Sequence, residues 1–173
     1  MYKRQVEVHD RALATLSAVN EPRVVMLHVG KGEWQDELDR RAAALGLGQR
    51  NIRVGYQEEL LPELYRLMDV FLFPAAGSDE GHRAIGEAVA SGVPFVAFPI
   101  PGVEDWKAGG VIAQDEAAAA REIADLARDP GDLARRGAAA RISAPACSPS
   151  AFAARAREFY ESLRREETPA IRR

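Results

Sequence analysis

Short apolar runs alternate with amphipathic stretches along most of this chain. Residues 23–29, 69–73 and 93–98 are nearly continuous in apolar side chains, the pattern of strands covered on both faces. Residues 51–56 and 110–113 predict two shorter strands. Between the runs, apolar positions recur at helical spacing. Val6, Ala12, Leu13, Leu16 and Val19 mark a helix over 6–19; Trp34, Leu38, Ala42 and Leu45 mark one that Gly46 and Gly48 stop; Leu60, Leu61, Leu64 and Leu67 mark one over 58–68. A helix over 79–90 follows, and the tail predicts three more over 115–128, 131–141 and 150–165, parted by Asp129-Pro130 and Ser148-Pro149. Strands alternating with helices predict an α/β fold, a parallel sheet with helices on both faces.

Composition narrows the function classes. At 173 residues, 28% charged and 47% hydrophobic, the chain suits one soluble domain with a real core. A net charge of −3 supplies no global positive field, so nucleic acid is not an expected partner. The single cysteine, Cys147, allows no internal disulfide, fits a reducing cytoplasm and is expected to be an inert thiol. No apolar run approaches the roughly 20 residues that cross a bilayer. No His/Cys/Asp cluster has the spacing of metal ligands, and no metal or cofactor is expected. Tyr2-Lys3-Arg4-Gln5 is what TAT-AAG-AGA-CAG encodes, a string resembling the end of a sequencing adapter. Residues 1–5 are therefore expected to be non-native, with native sequence from near Val6.

The candidate chemistry lies in residues 77–92, a glycine-bearing loop leading into a helix between two apolar runs. In open α/β sheets, ligands bind at the carboxyl ends of the strands, where this loop falls. Asp79, Arg83 and Glu87 recur every fourth residue and so share one helical face, opposite Ala84, Ile85, Ala88 and Val89. On spacing alone that face reads first as solvated ion pairs. Two features favour a ligand. A helix N-terminus after a buried strand offers free N–H groups to phosphate, and Glu80-Gly81 permits close backbone approach. A carboxylate further along the helix then suits ribose hydroxyls.

Several segments together carry a resemblance. Asp79 and Glu87 with seven residues between them, Arg83-Ala84, Glu87-Ala88-Val89-Ala90-Ser91-Gly92-Val93-Pro94 and the preceding Leu64-Tyr65-Arg66-Leu67-Met68-Asp69-Val70-Phe71-Leu72-Phe73-Pro74 resemble the C-terminal lobe of glycosyltransferase family 4. Val29-Gly30-Lys31-Gly32, Val54-Gly55-Tyr56 and Pro101-Gly102-Val103-Glu104-Asp105 extend it over residues 6–165, leaving 166–173 as a tail. The resemblance implies the C-terminal, Rossmann-like half of a GT-B fold with its first, central strand missing. It implies a retaining enzyme that moves a hexose from a UDP-, GDP- or ADP-sugar to a glycan or lipid-linked acceptor, as in polysaccharide biosynthesis, without a metal. Glu87 matches the acid that binds the ribose, and Asp79 the acid near the donor sugar and its phosphate. Glu80, Gly81 and His82, with Arg83 beside them, match the loop at the diphosphate or hexose. Gly30 and Gly32 would shape the cleft floor, and Val54 and Gly55 would lie near the base. Asp79 stands where the family carries Glu, Glu80 is the alternative first acid, and Asp105 stands for the acid of a later turn. Lys31 is either solvent-facing or a weak phosphate contact, and His82 either a donor to the ligand or a cap. His28 is expected to be a hydrogen-bonded core histidine and His9 a surface one.

The same resemblance places acceptor binding, and any peripheral contact with the inner face of a membrane, on an N-terminal lobe outside these residues. The chain is then a donor half-site, in a cytoplasmic protein, inactive in transfer by itself and poorly soluble. With the central strand absent, residues 23–29 either close up beside 69–73 or leave a gap with unpaired backbone, and closure is expected because unpaired buried backbone is costly. A non-catalytic nucleotide-binding scaffold and a relative of nucleotide-sugar 2-epimerases are the alternative readings.

Overall fold

A computed structural model describes residues 2–75, 81–106 and 109–166. Helix α1 (Tyr2–Ala18) precedes strand β1 (Met26–Val29), α2 (Gln35–Ala44) and β2 (Asn51–Val54). Then come α3 (Leu61–Leu67), β3 (Phe71–Phe73), α4 (Gly81–Ala90), β4 (Phe95–Ala97) and β5 (Gly110–Ile112). Three α-helices follow among the described residues: α5 (Glu116–Arg128), α6 (Pro130–Ser143) and α7 (Pro149–Glu166). All strand pairs are parallel, β1 with β2 and β4 between β3 and β5. The fold is thus α/β with short parallel sheets flanked by helices.

Strand β4 is buried at every residue because helices cover both of its faces. Phe95 and Ala97 pack with Ile85 and Val89 of α4 and Ala140 of α6, while Val96 and Phe98 pack with Ala119 of α5. The alternation is the strand period of two, and it explains why the whole run is apolar. Gly110 is required on β5, since a Cβ there would lie 2.1 Å from the Phe95 ring. Gly92 turns α4 into β4 with φ +77°, a left-handed conformation that favours glycine. Asp115 caps α5 by accepting from the Ala118 N–H at 2.7 Å, and Asp129 caps α6 through the Asp132 N–H at 2.9 Å.

The expected closure of residues 23–29 onto 69–73 does not occur. The strands form two separate sheets, β1-β2 and β3-β4-β5. A cavity of about 740 Å³ lies between them, lined among others by Met26, Val29, Val70 and Leu72. The helix layer sets this spacing. Val19, just past α1, packs on Ala120 and Ala124 of α5, Arg11 pairs with Glu116 at 2.9 Å, and its guanidinium lies 4.6 Å from the Phe98 ring centroid. Leu13 and Leu16 of α1 join Leu38 and Ala42 of α2 in a core of their own, which Met26 of β1 packs against. With α1 anchored to both layers, β1 is held a cavity's width from β3.

Candidate functional site

The site is built on α4 and the helix before it. Ile85, Ala88 and Val89 are fully buried, which leaves Arg83 and Glu87 one turn apart on the outer side of the helix. Arg83 Nε donates to Glu87 Oε1 at 2.9 Å, so the ion pair foreseen from the spacing is present. The other carboxylate oxygen has a partner the sequence did not suggest. Tyr65, on α3, donates its hydroxyl to Glu87 Oε2 at 3.0 Å. Its ring is buried with Ala88 and Val93 and lies 5.8 Å from the Phe71 ring. Burial first, then the hydrogen bond to Glu87 and its charge, pushes the Tyr65 phenol well above its usual range. It is therefore a neutral O–H donor at all ordinary pH values. A buried tyrosine hydroxyl needs a polar partner, and Tyr65 among the apolar positions of α3 is the signal that could have found this contact.

A second group forms where β1 and β2 end. Parallel register pairs Val29 with Val54, and the Gly30 N–H donates to the Val54 carbonyl at 3.2 Å. The fold thereby brings together Gly30, Gly32, Val54 and Gly55, which lie far apart in sequence. A Cβ at Gly30, Gly32 or Gly55 would meet nothing within 4 Å, so this floor is open above the backbone. Lys31 is exposed beside it. Among the described residues, Glu87 bonds to Tyr65 and Arg83 and to no member of this group.

Asp79 and Glu80 lie outside the described residues, and for Gly81, His82, Asp105 and Cys147 the backbone alone is described. Two histidine expectations change. His28 is half-buried on β1, but its Nε2 has no hydrogen-bond partner, and neither has Oδ1 of Asn51. Burial and the nearby His9 hold His28 below its usual range, so the ring is neutral and tolerates the apolar setting. His9 is not on the surface: it is half-buried, 6.1 Å from the His28 ring, and its pKa is lowered by burial. Among the described residues no group of three His, Cys, Asp or Glu could hold a metal ion, and no helix is long and apolar enough to cross a membrane.

Chemically, the arrangement offers a half-buried carboxylate with one oxygen held by a buried hydroxyl and the other shared with an exposed cation. Such a group accepts hydrogen bonds from neighbouring hydroxyls.

The family model for glycosyl transferases group 1 matches residues 1–129. Sucrose-phosphate synthase from Thermosynechococcus elongatus is similar in structure, with 24% identity and a TM-score of 0.76, covering 95% of this chain and 44% of that one. A glycosyltransferase from Rickettsia africae ESF-5 is 22% identical with a TM-score of 0.72, covering 91% and 44%. Anabaena HepE in complex with UDP and glucose is 23% identical with a TM-score of 0.68, covering 78% and 39%. The chain spans less than half the length of each of these proteins. At these identities the likeness shows the fold, that of GT-B glycosyltransferases. No curated protein matches the sequence.

Proposed function

The chain belongs to the group 1 glycosyl transferases, and from that premise we propose that it is the donor-binding lobe of a retaining, family 4 hexosyltransferase. The ligand is a nucleotide sugar, UDP-, GDP- or ADP-linked, and the acceptor is a glycan or lipid-linked glycan. The observation that carries the reading is Glu87, presented on α4 with both oxygens engaged and its side chain one-third exposed. In this role it accepts a ribose hydroxyl. The N-terminus of α4, which follows β3 in the chain, suits the diphosphate, Gly30 and Gly32 would shape the cleft floor, and Val54 and Gly55 would lie near the base. The neighbour crystallised with UDP and glucose supports a nucleotide-sugar ligand without selecting the base.

Donor binding in this reading needs no metal, and the protein works in the cytoplasm. Transfer needs a second wall that fixes the acceptor and excludes water, so the 173-residue chain binds the donor without turning it over.

Calorimetric titration with UDP, GDP and ADP tests the proposal. One of them should bind, with a chelator leaving the affinity unchanged. Glu87→Ala should weaken it about tenfold to a hundredfold, the worth of one hydrogen bond to a charged group. Affinity unaltered by Glu87→Ala would sink the assignment. A saturated Glu87 is also what a purely structural ion pair looks like, and binding of no nucleotide at all would favour that scaffold reading.

A further inference from the structure

We propose that Tyr65 is a positioning residue of the donor site, holding the Glu87 carboxylate in one orientation so that Oε1 is the oxygen given to the ribose of a nucleoside diphosphate. The inference rests on the ribose role proposed for Glu87.

The two carboxylate oxygens are engaged by very different partners. Oε2 accepts from Tyr65, a residue only 7% exposed, whose ring is fixed by Ala88, Val93 and Phe71. Oε1 accepts from Arg83, whose side chain is 86% exposed. Of the two, only the arginine can leave without opening the core. A ligand hydroxyl therefore reaches Oε1, which can accept it beside Arg83 or in place of the exposed guanidinium once that swings into solvent. Tyr65 stays.

Its contribution is preorganisation. The terminal torsion of a glutamate is broad, and a carboxylate that turns freely must be ordered at the moment of binding. A hydrogen bond from a buried, neutral phenol removes that cost beforehand. Phenylalanine at position 65 would keep the ring among the same neighbours and subtract only the O–H. The loss should therefore appear only with ligands that use Glu87.

The test titrates the chain, Tyr65→Phe, Glu87→Gln and the double variant with whichever of UDP, GDP and ADP binds tightest. Each is also titrated with the 2′,3′-dideoxy form of that nucleotide. Tyr65→Phe should weaken the parent nucleotide about five- to twentyfold and leave the dideoxy form within about twofold. The double variant should be no weaker than Glu87→Gln alone, because the two residues act through one contact. Equal losses on both nucleotides would make Tyr65 merely a packing residue and overturn the proposal. Full affinity in Tyr65→Phe, with Glu87→Gln impaired, would overturn it while sparing the ribose reading. If Glu87→Gln leaves both ligands unchanged, or nothing binds the unaltered chain, the ribose reading fails and this inference falls with it.

Discussion

Glu21 shows how much one side chain can depend on its neighbours. It is the one buried charged residue among the described residues, at the turn between α1 and β1. Arg23 donates to it from Nε at 2.9 Å, from its second guanidinium nitrogen at 3.2 Å and from its backbone N–H at 3.3 Å, while Arg128 of α5 lies 3.7 Å away. The Arg23 side-chain hydrogen bonds first, then its backbone N–H, bring the Glu21 carboxyl from an ordinary 4.5 down to about 2. The unfolded chain therefore takes up this proton more readily than the folded one between those two values. The stabilisation is complete above pH about 4.5 and disappears as the pH falls towards about 2. Melting temperatures of the chain and of Glu21→Gln should differ at neutral pH and converge across that window. A gap that stays constant with pH would remove Glu21 from the acid response. The local sequence Glu21-Pro22-Arg23 hints at an ion pair, but Arg128 is more than a hundred residues away, and only the packing of α1 on α5 brings it in.

At the scale of elements, strands of similar composition end in unequal environments. Met26 and Gly30 donate their N–H groups to the carbonyls of Arg50 and Val54, so alternate residues of β1 face β2. The N–H groups of Leu27 and Val29 then point to the other edge, where β1 has no strand among the described residues. On β3, Phe71 donates to Pro94, which leaves Leu72 facing its own open edge. Val96 and Ala97 on β4 have strands on both sides. Amide hydrogen exchange followed residue by residue should be fast at Leu27, Val29 and Leu72 and slow at Val96 and Ala97. Equal protection at Leu27 and Val96 would mean that the cavity edge is closed in solution. Residue periodicity does not carry this distinction, because an apolar run records that a strand is meant to be covered, not which neighbour covers it.

For the whole molecule, binding and stability are linked, because a ligand that prefers the folded chain draws it away from the unfolded one. A ligand that binds only the folded chain raises its stability by about 2.7 kcal/mol at a hundred times its dissociation constant. The nucleotide that titrates best should therefore raise the melting temperature in proportion to its occupancy, and Glu87→Ala should blunt the shift at a fixed concentration. A melting temperature indifferent to every nucleotide would leave the donor site without support. The same measurement reports on the chain as a unit, since Gly30 and Val54 stand at the end of the β1-β2 sheet while Glu87 is carried by α4, which packs on the β3-β4-β5 sheet.

The order and type of the elements were legible in the sequence because hydrophobic pattern is local: a continuous apolar run for β4, a period of about 3.6 for α4 and α5, with Asp115, Asp129 and Gly92 acting within a turn of their own residues. The pairing of Arg83 with Glu87 was legible for the same reason, being one helical turn. Chain-distant contacts were not. Tyr65 meets Glu87 across 22 positions and Gly30 meets Val54 across two elements, and both depend on how helices and strands stack. The separation of the sheets was likewise decided only in three dimensions. Helix α1 packs on α5 and α2 while the two short strand edges stay apart, and which long-range contacts a chain makes has no one-dimensional signature.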